Sequence, residues 1–438
     1  MKTKLSGKFW LALVLFSLMG QIAWVVENMQ LNVFIYKMFN ASAADISFMV
    51  AASAVAATLT TVFIGALSDR LGKRRLFISG GYILWGISIL GFGFIKLDII
   101  GPLFGTVAGA ASICITLTIM LDCIMTVFGS SANDAAFNAW LTDSTDESNR
   151  GAAEGINAMM PLVAILAVFG GLMAFDLDKS ESWTAIFIII GAAVIVIGVI
   201  GFFIIDENKI APSETGYLSN IIYGFRPSTI RANPAFYFYL GVFIIFNIAI
   251  QIFMPYLIIY YEVSLGMSDY VLVMAPAIVL ASIVTALWGR VYDKKGFSFA
   301  SAFSILWLVI GFVMLFVFRT QLPVFIGSLL MMSGYLAGMA VFGAKIRDLT
   351  PRGKAGMLQG VRIFSQVLVP GIIGPFIGKQ ILADAEIIVN SDGTESFVPN
   401  ANIFLGALVP VIILAVILVI CDPMIKRRTQ KLTEVQNG

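Results

Sequence analysis

Histidine is absent from this 438-residue chain. That removes the commonest metal ligand and the usual side-chain proton shuttle, so proton chemistry here falls to carboxylates. Cysteine occurs only at Cys114, Cys123 and Cys421, too few for a disulfide framework. The first two lie on one expected helix, about 13 Å apart along its axis and beyond disulfide reach. All three are expected as free thiols. Charged residues make up only 12% of the chain, and no HExxH, GxSxG or dense cysteine cluster speaks for an enzyme. Neither a cofactor or metal nor a nucleic-acid partner is expected.

What is present is apolar. Hydrophobic residues are 59% of the chain, and the mean hydropathy is +0.93, which places it in lipid as a polytopic membrane protein. Lys2, Lys4 and Lys8 precede an apolar run over 9–35 that outlasts a secretory signal core and shows no small-residue cleavage site, so it is expected as a retained first span. Windows of about 19 residues predict spans near 9–35, 46–68, 76–96, 113–141, 152–175, 183–205, 235–261, 270–292, 299–318, 322–346, 356–380 and 402–421. Region 97–112 reads either as loop or as the frayed start of the fourth span. Twelve spans put both termini on one side. Taking that side as cytoplasmic places 22 of the 28 Lys and Arg in cytoplasmic segments, five outside and Arg362 within a span, as expected for a plasma-membrane or bacterial inner-membrane protein. The hydrophilic stretch 206–233 reads as a linker between a six-span bundle at 1–205 and a second at 234–425, with a cytoplasmic tail at 426–438.

The two bundles repeat in parallel. A shift of 224 places Gly65, Asp69 and Gly72 on Gly289, Asp293 and Gly296, Asp45 on Asp269 and Tyr36 on Tyr260. A shift of 205 places Asp143, Gly151 and Gly155 on Asp348, Gly356 and Gly360. Polar marks recurring at equivalent span ends argue for a duplication.

The loop after the second span reads GALSDRLGKRR, residues 65–75. Glycines there permit a tight turn and close helix approach, Asp69 can accept hydrogen bonds at a helix N-terminus, and the cations hold the loop in the cytoplasm. Gly65, Leu67, Asp69, Arg70, Gly72, Lys73, Arg74 and Arg75 resemble the cytoplasmic signature of the major facilitator superfamily at each fixed position. GRVYDKKG, residues 289–296, is its degenerate echo. The resemblance implies an all-α membrane protein of twelve transmembrane helices in two parallel-repeat six-helix bundles, working as a monomer. It also implies that Gly65, Asp69, Arg70, Gly72, Arg74 and Asp293 form a cytoplasmic gate rather than contact substrate.

Within that superfamily, NDAAFNAWLTDSTDESNRG, residues 133–151, resembles the glycoside-pentoside-hexuronide symporters and their disaccharide–proton relatives. Asp134 and Phe137 match that family's fourth-span pattern, and Asn138 stands where an aromatic is usual. The family's fifth-span arginine falls near Asn157, and by the 205 shift Arg362 occupies the equivalent place in the other half. The paired acids of the family's second span have no counterpart in 46–68, which favours a proton over sodium as the coupling ion.

Polar residues inside spans carry the rest, because a charge at membrane depth costs roughly 2.5 to 3.5 kcal/mol or more. WVVENMQLN, residues 24–32, puts Gln21, Trp24, Asn28 and Asn32 within about 80° of one another on an α-helix, with Glu27 on the flank. Such a stripe suits a hydroxyl-rich ligand with Trp24 stacking on it; the plainer reading is hydrogen bonding between neighbouring helices. Glu27 maps onto Gln251, four residues after Asn247 in the seventh span. A carboxylate is costly in low dielectric and a carboxylic acid much less so, which makes Glu27 the leading proton carrier. Asp122 lies at similar depth and is a second one if the helices face each other; for both, the plainer role is a structural hydrogen bond. Asp134 and Arg362 lie nearer the cytoplasm and either contact substrate or pair with each other, unless Arg362 snorkels to the interface.

Other features read as structural: PGIIGPFIG (370–378) as hinge or packing, the methionine pairs as filling, Asn40-Ala41-Ser42 as a glycosylation triplet too near the membrane, and KRRTQK (426–431) as a cytoplasmic stop that also suits anionic lipid. No Gly-x4-Gly-Lys-Ser/Thr loop occurs, so uphill transport would use an ion gradient. The expectation is a proton-coupled symporter of a small polar solute, a sugar or glycoside. The alternatives are a proton-coupled exporter of amphipathic compounds and a transporter-like sensor.

Overall fold

The computed structural model describes residues 5–104, 107–146, 149–206, 222–267, 269–350, 355–390 and 393–437. Most of the expected linker, 207–221, lies outside them, as do the side chains of Asp69 and of KRRTQK. Among the described residues, 11 helices are long and apolar enough to cross a membrane. One of these, Tyr270–Val317, is 48 residues long and holds Gly296 at φ 79° and ψ 176°, so it comprises two spans meeting at a turn. Twelve segments result, as expected.

They divide into two compact units. The first comprises Met1–Ile221 together with Ile387–Phe397; the second comprises Ile222–Glu386 with Val398–Gly438. Spans Gly7–Phe39, Ala43–Gly65, Arg74–Phe92, Gly109–Ser144, Gly155–Leu172 and Ser180–Ile204 belong to the first. Pro234–Ser264, the double helix Tyr270–Val317, Gln321–Leu349, Gly360–Ile381 and Asn402–Ile425 belong to the second.

Local sequence sets the ends. Ser42 and Asp45 form a capping box at the start of the second span, each side chain taking a backbone N–H of the other. Pro234 opens the seventh span, where its missing N–H leaves nothing unpaired. Gly72 closes the helix Ala43–Leu71 at φ 63°, a conformation that favours glycine. Gly65 is different. A Cβ there would meet Ala135 Cβ at 3.8 Å, an ordinary contact, so close approach does not require this glycine. Close approach is instead the role of Gly86, where a Cβ would fall 2.6 Å from the Gly191 carbonyl oxygen, so the third and sixth spans touch backbone to backbone. The ambiguous region 97–112 forms a short helix, Leu97–Phe104, ahead of the helix Val107–Gly129 of the fourth span.

Four spans depart from α geometry. Val26–Gln30 in the first, Ser130–Phe137 in the fourth, Tyr260–Ser264 in the seventh and Phe364–Leu368 in the eleventh are π-helical. Such segments shift the facing of every residue beyond them and occur frequently at functional sites.

One element was not foreseen. Between the last two spans, β1 (Ile387–Val389) and β2 (Glu395–Phe397) pair antiparallel, with Ile388 opposite Ser396. This hairpin belongs to the first unit. Tyr36 donates to the Phe397 carbonyl at 2.7 Å, and Asn40 Oδ1 accepts from Ser396 at 2.8 Å and from Asn390 at 3.2 Å. Asn40 stands at φ 52°, and both it and Ser42 of the glycosylation triplet are thereby engaged in structure.

Candidate functional site

Three acids of the first unit, Glu27, Asp122 and Asp134, lie away from the ends of its spans. Glu27 sits in the π segment of the first span and is 6% exposed. On the fourth span, the Thr126 hydroxyl lies 2.8 Å from Glu27 Oε1 and 2.8 Å from the Asp122 carbonyl oxygen. Asp122 itself is buried and accepts a hydrogen bond from Ser53 of the second span. Glu27 Oε2 and Asp122 Oδ1 have no hydrogen-bond partner among the described residues. The first and fourth spans therefore face each other at the depth the sequence suggested, and Ser53 and Thr126, which the sequence did not single out, hold the carboxyls.

A hydroxyl carries one hydrogen and two acceptor lone pairs. By donating to Glu27 Oε1, Thr126 can serve the carboxylate. If instead Thr126 donates to the Asp122 carbonyl, as a helical threonine commonly does, its lone pair is left to accept from a protonated Glu27. The same positions serve both states of the glutamate.

Asp134 lies in the π segment Ser130–Phe137 and accepts from Ser130 at 3.1 Å. Phe137 is core, stacked between Phe16 and Trp140. Asn138 is exposed and bonds back to the Asp134 carbonyl at 3.1 Å. Asn157, at the fifth-span position noted above, accepts from Ser17.

The stripe proposed for the first span is split. Asn28 is exposed and Asn32 is 1% exposed, with Asn28 bonding to the Trp24 carbonyl and Asn32 to the Asn28 carbonyl. The cause is the π segment, which the 100° spacing could not register. Gln21 and Trp24 are half-buried, and the Trp24 ring rests against Trp85 with centroids 5.1 Å apart. Gln30, which the stripe left out, is fully buried with neither amide atom partnered among the described residues.

At the start of the third span, Arg74 is buried. It binds Asp143 through Nε and Nη2, each 3.2 Å from Oδ2, and also donates to Ser68. Of the motif's other cations, Arg70 and Lys73 are exposed and Arg75 is partly exposed.

In the second unit, Asn247 is buried and bonds back to the Phe243 carbonyl at 2.8 Å. Gln251 is half-buried against Gly374 of the eleventh span, where an added Cβ would collide with the glutamine Cβ. Arg362 is half-buried beside the π segment Phe364–Leu368, and its Nε is buried without a partner among the described residues. The shift of 224 places Ser68 and Arg74 on Tyr292 and Ser298, which replace the ionic contact with neutral donors. Tyr292 donates to Asp348 at 2.5 Å, and Ser298 to Asp422 at 2.6 Å. Asp293, the motif's echo, is exposed.

The Major Facilitator Superfamily model matches residues 9–375. Solved structures similar to the chain include the nucleoside transporter NupG, 12% identical over 95% of this chain and 98% of that one, with a TM-score of 0.65. A bacterial homolog of the human lysosomal transporter Spinster, inward-facing and occupied, is 16% identical over 93% and 94%, with a TM-score of 0.67. The xylose transporter XylE from E. coli, partially occluded and inward open, is 16% identical over 94% and 99%, with a TM-score of 0.65. No curated protein matches the chain in sequence.

Proposed function

The chain belongs to the major facilitator superfamily and is an integral membrane transporter of small molecules, not an enzyme; within that class we propose that it moves a small polar solute, a sugar or glycoside, by proton-coupled symport with alternating access. Glu27 carries the proton. The observation that supports this is the Thr126 hydroxyl set 2.8 Å from both Glu27 Oε1 and the Asp122 carbonyl. It offers Glu27 a donor when ionised and an acceptor when protonated, so gaining or losing the proton needs only a hydroxyl rotation. Asp122 and Asp134 are the further acids through which a proton could pass. Solute recognition falls to polar side chains outside the apolar core, with Gln21, Asn28 and Asn138 in the first unit and Gln251 and Arg362 in the second.

The test is a pH readout in proteoliposomes. Purified protein is challenged with mono- and disaccharides, nucleosides and amphipathic cations, with Glu27→Gln as control. Solute-dependent external alkalinisation that the variant loses is the expected result. A response to cations alone would overturn the symporter reading in favour of an exporter.

A further inference from the structure

The segment between the last two spans is held at two places. In the first unit, Tyr36 donates to the Phe397 carbonyl at 2.7 Å, its ring lies edge-on to Phe397 at 5.3 Å, and Asn40 Oδ1 accepts from Ser396 and Asn390. In the second unit, Ser264 donates to the Pro399 carbonyl, and the Val398 N–H closes the neck of the hairpin on the Glu386 carbonyl at 2.7 Å. The shift of 224 that relates the two halves places Asn40 on Ser264. Asn40 follows the first span and Ser264 ends the seventh, so duplicated positions grip neighbouring residues of one segment.

Covalent geometry gives this double grip a consequence. The chain leaves the second unit at Glu386, forms the hairpin as part of the first and returns at Val398. Only Val398 separates the two held residues Phe397 and Pro399, and two residues of chain reach at most about 7 Å. The return therefore has no slack. These positions lie on the face opposite the loop 65–75, because the helix Ala43–Leu71 runs from one face to the other. If the units part on that face, one of the two grips must let go. The neck stays with the unit through which the chain enters and leaves, so the grip that yields is the one on Tyr36 and Asn40. Its bonds are between neutral groups, weak enough to break and re-form in every cycle.

We propose that the hairpin is a releasable strap: docked on Tyr36 and Asn40 it keeps this face closed, and its undocking lets the face open. The inference rests on the alternating-access part of the reading above and on neither its solute nor its proton.

The test is a distance measurement by pulsed electron paramagnetic resonance on the purified protein in nanodiscs, with Cys114, Cys123 and Cys421 replaced by alanine. Spin labels at Glu181→Cys and Thr320→Cys, both exposed, report on the strap's face. Labels at Lys73→Cys and Lys295→Cys, also exposed, report on the opposite one. Asn40→Gly removes both side-chain bonds and keeps the φ of 52° without strain, and Ser396→Ala loosens the same contact from the hairpin side. Each should raise the long-distance population on the strap's face by about fivefold or more, and shift the opposite pair towards shorter distances. Ser264→Ala, which leaves the docked side and the neck bond intact, should do far less. Unchanged distances in both Asn40→Gly and Ser396→Ala would overturn the strap, as would an equal response to Ser264→Ala. Broadening at both faces together would also overturn it, by showing a loosened fold. No solute or proton gradient enters the measurement, so loss of proton coupling in proteoliposomes would overturn the symport reading and leave the strap standing.

Discussion

Gly72 and Gly296, 224 residues apart and at equivalent places in the two halves, both stand at positive φ, 63° and 79°, while their ψ values, 15° and 176°, differ. In the first half the turn ends a helix; in the second it separates two spans within one run of helical hydrogen bonds. The duplicated glycine spacing thus preserves a backbone requirement. Alanine would be strained by about 1–2 kcal/mol at Gly72 and by about 1–3 kcal/mol at Gly296, whose φ and ψ together suit glycine alone. Gly72→Ala and Gly296→Ala should each lower the unfolding temperature in detergent. Gly65→Ala should not, because its Cβ meets only an ordinary contact. Equal destabilisation by all three would show that the turn geometry does not set the glycine requirement.

Arg74 and Asp143 fix the start of the third span to the end of the fourth, with Ser68 of the preceding helix joined to the same guanidinium. Removing one partner of a buried pair leaves the other uncompensated, a loss of about 3–5 kcal/mol in fully buried cases. Asp143 is partly exposed, so Arg74→Ala should fall at or below the lower end of that range. Lysine cannot reproduce contacts from two guanidinium nitrogens together with the serine bond. Arg74→Lys should therefore recover only part of the stability, and full recovery would reduce the contact to a point charge. Arg70→Ala, at an exposed cation, should leave thermal stability unchanged.

Much of the architecture was legible because lipid imposes long apolar runs and basic inner loops, and because the repeat doubled each polar landmark. Glu27 and Asp122 stood out for the same reason: an acid inside an apolar run has few alternatives. What escaped notice has identifiable causes. The π segment at Val26–Gln30 breaks the 100° spacing, so Asn32 turned inward, Asn28 outward, and buried Gln30 was left out of the stripe. Thr126 and Ser53 are common residues in a membrane helix and gain meaning only from the carboxyls they meet. The hairpin was hidden because its strands have three residues each, too short for a period-2 signal.

That hairpin gives a prediction of its own. Asn40 Oδ1 accepts from both Ser396 and Asn390, and Tyr36 holds the Phe397 carbonyl. Each bond is worth about 0.5–1.5 kcal/mol net. Asn40→Ala should speed hydrogen exchange of the amides of 393–398 by roughly fivefold or more on that scale. Tyr36→Phe should give a smaller effect, since the ring contact with Phe397 survives it. Unchanged exchange in both variants would mean that strand pairing alone holds the segment.

The sharpest separation of roles concerns Thr126 and Glu27. If the hydroxyl serves both protonation states, Thr126→Ser keeps the function and Thr126→Val removes donor and acceptor together while keeping the shape. Glu27→Gln should abolish accumulation against a gradient yet leave solute exchange, because exchange needs no net proton movement. Thr126→Val should instead retain coupling and make it slower, by about tenfold if one hydrogen bond of roughly 1.4 kcal/mol is lost from the proton-transfer step. If the proton enters with the solute, as proposed, wild-type uptake should rise as the external pH falls, and in Glu27→Gln that dependence should flatten. Counterflow at matched pH on both sides, set beside uptake driven by an inward proton gradient, distinguishes the variants. Intact accumulation in Glu27→Gln would move the proton to Asp122 or Asp134, and a Thr126→Val protein as fast as wild type would leave the hydroxyl a purely structural contact.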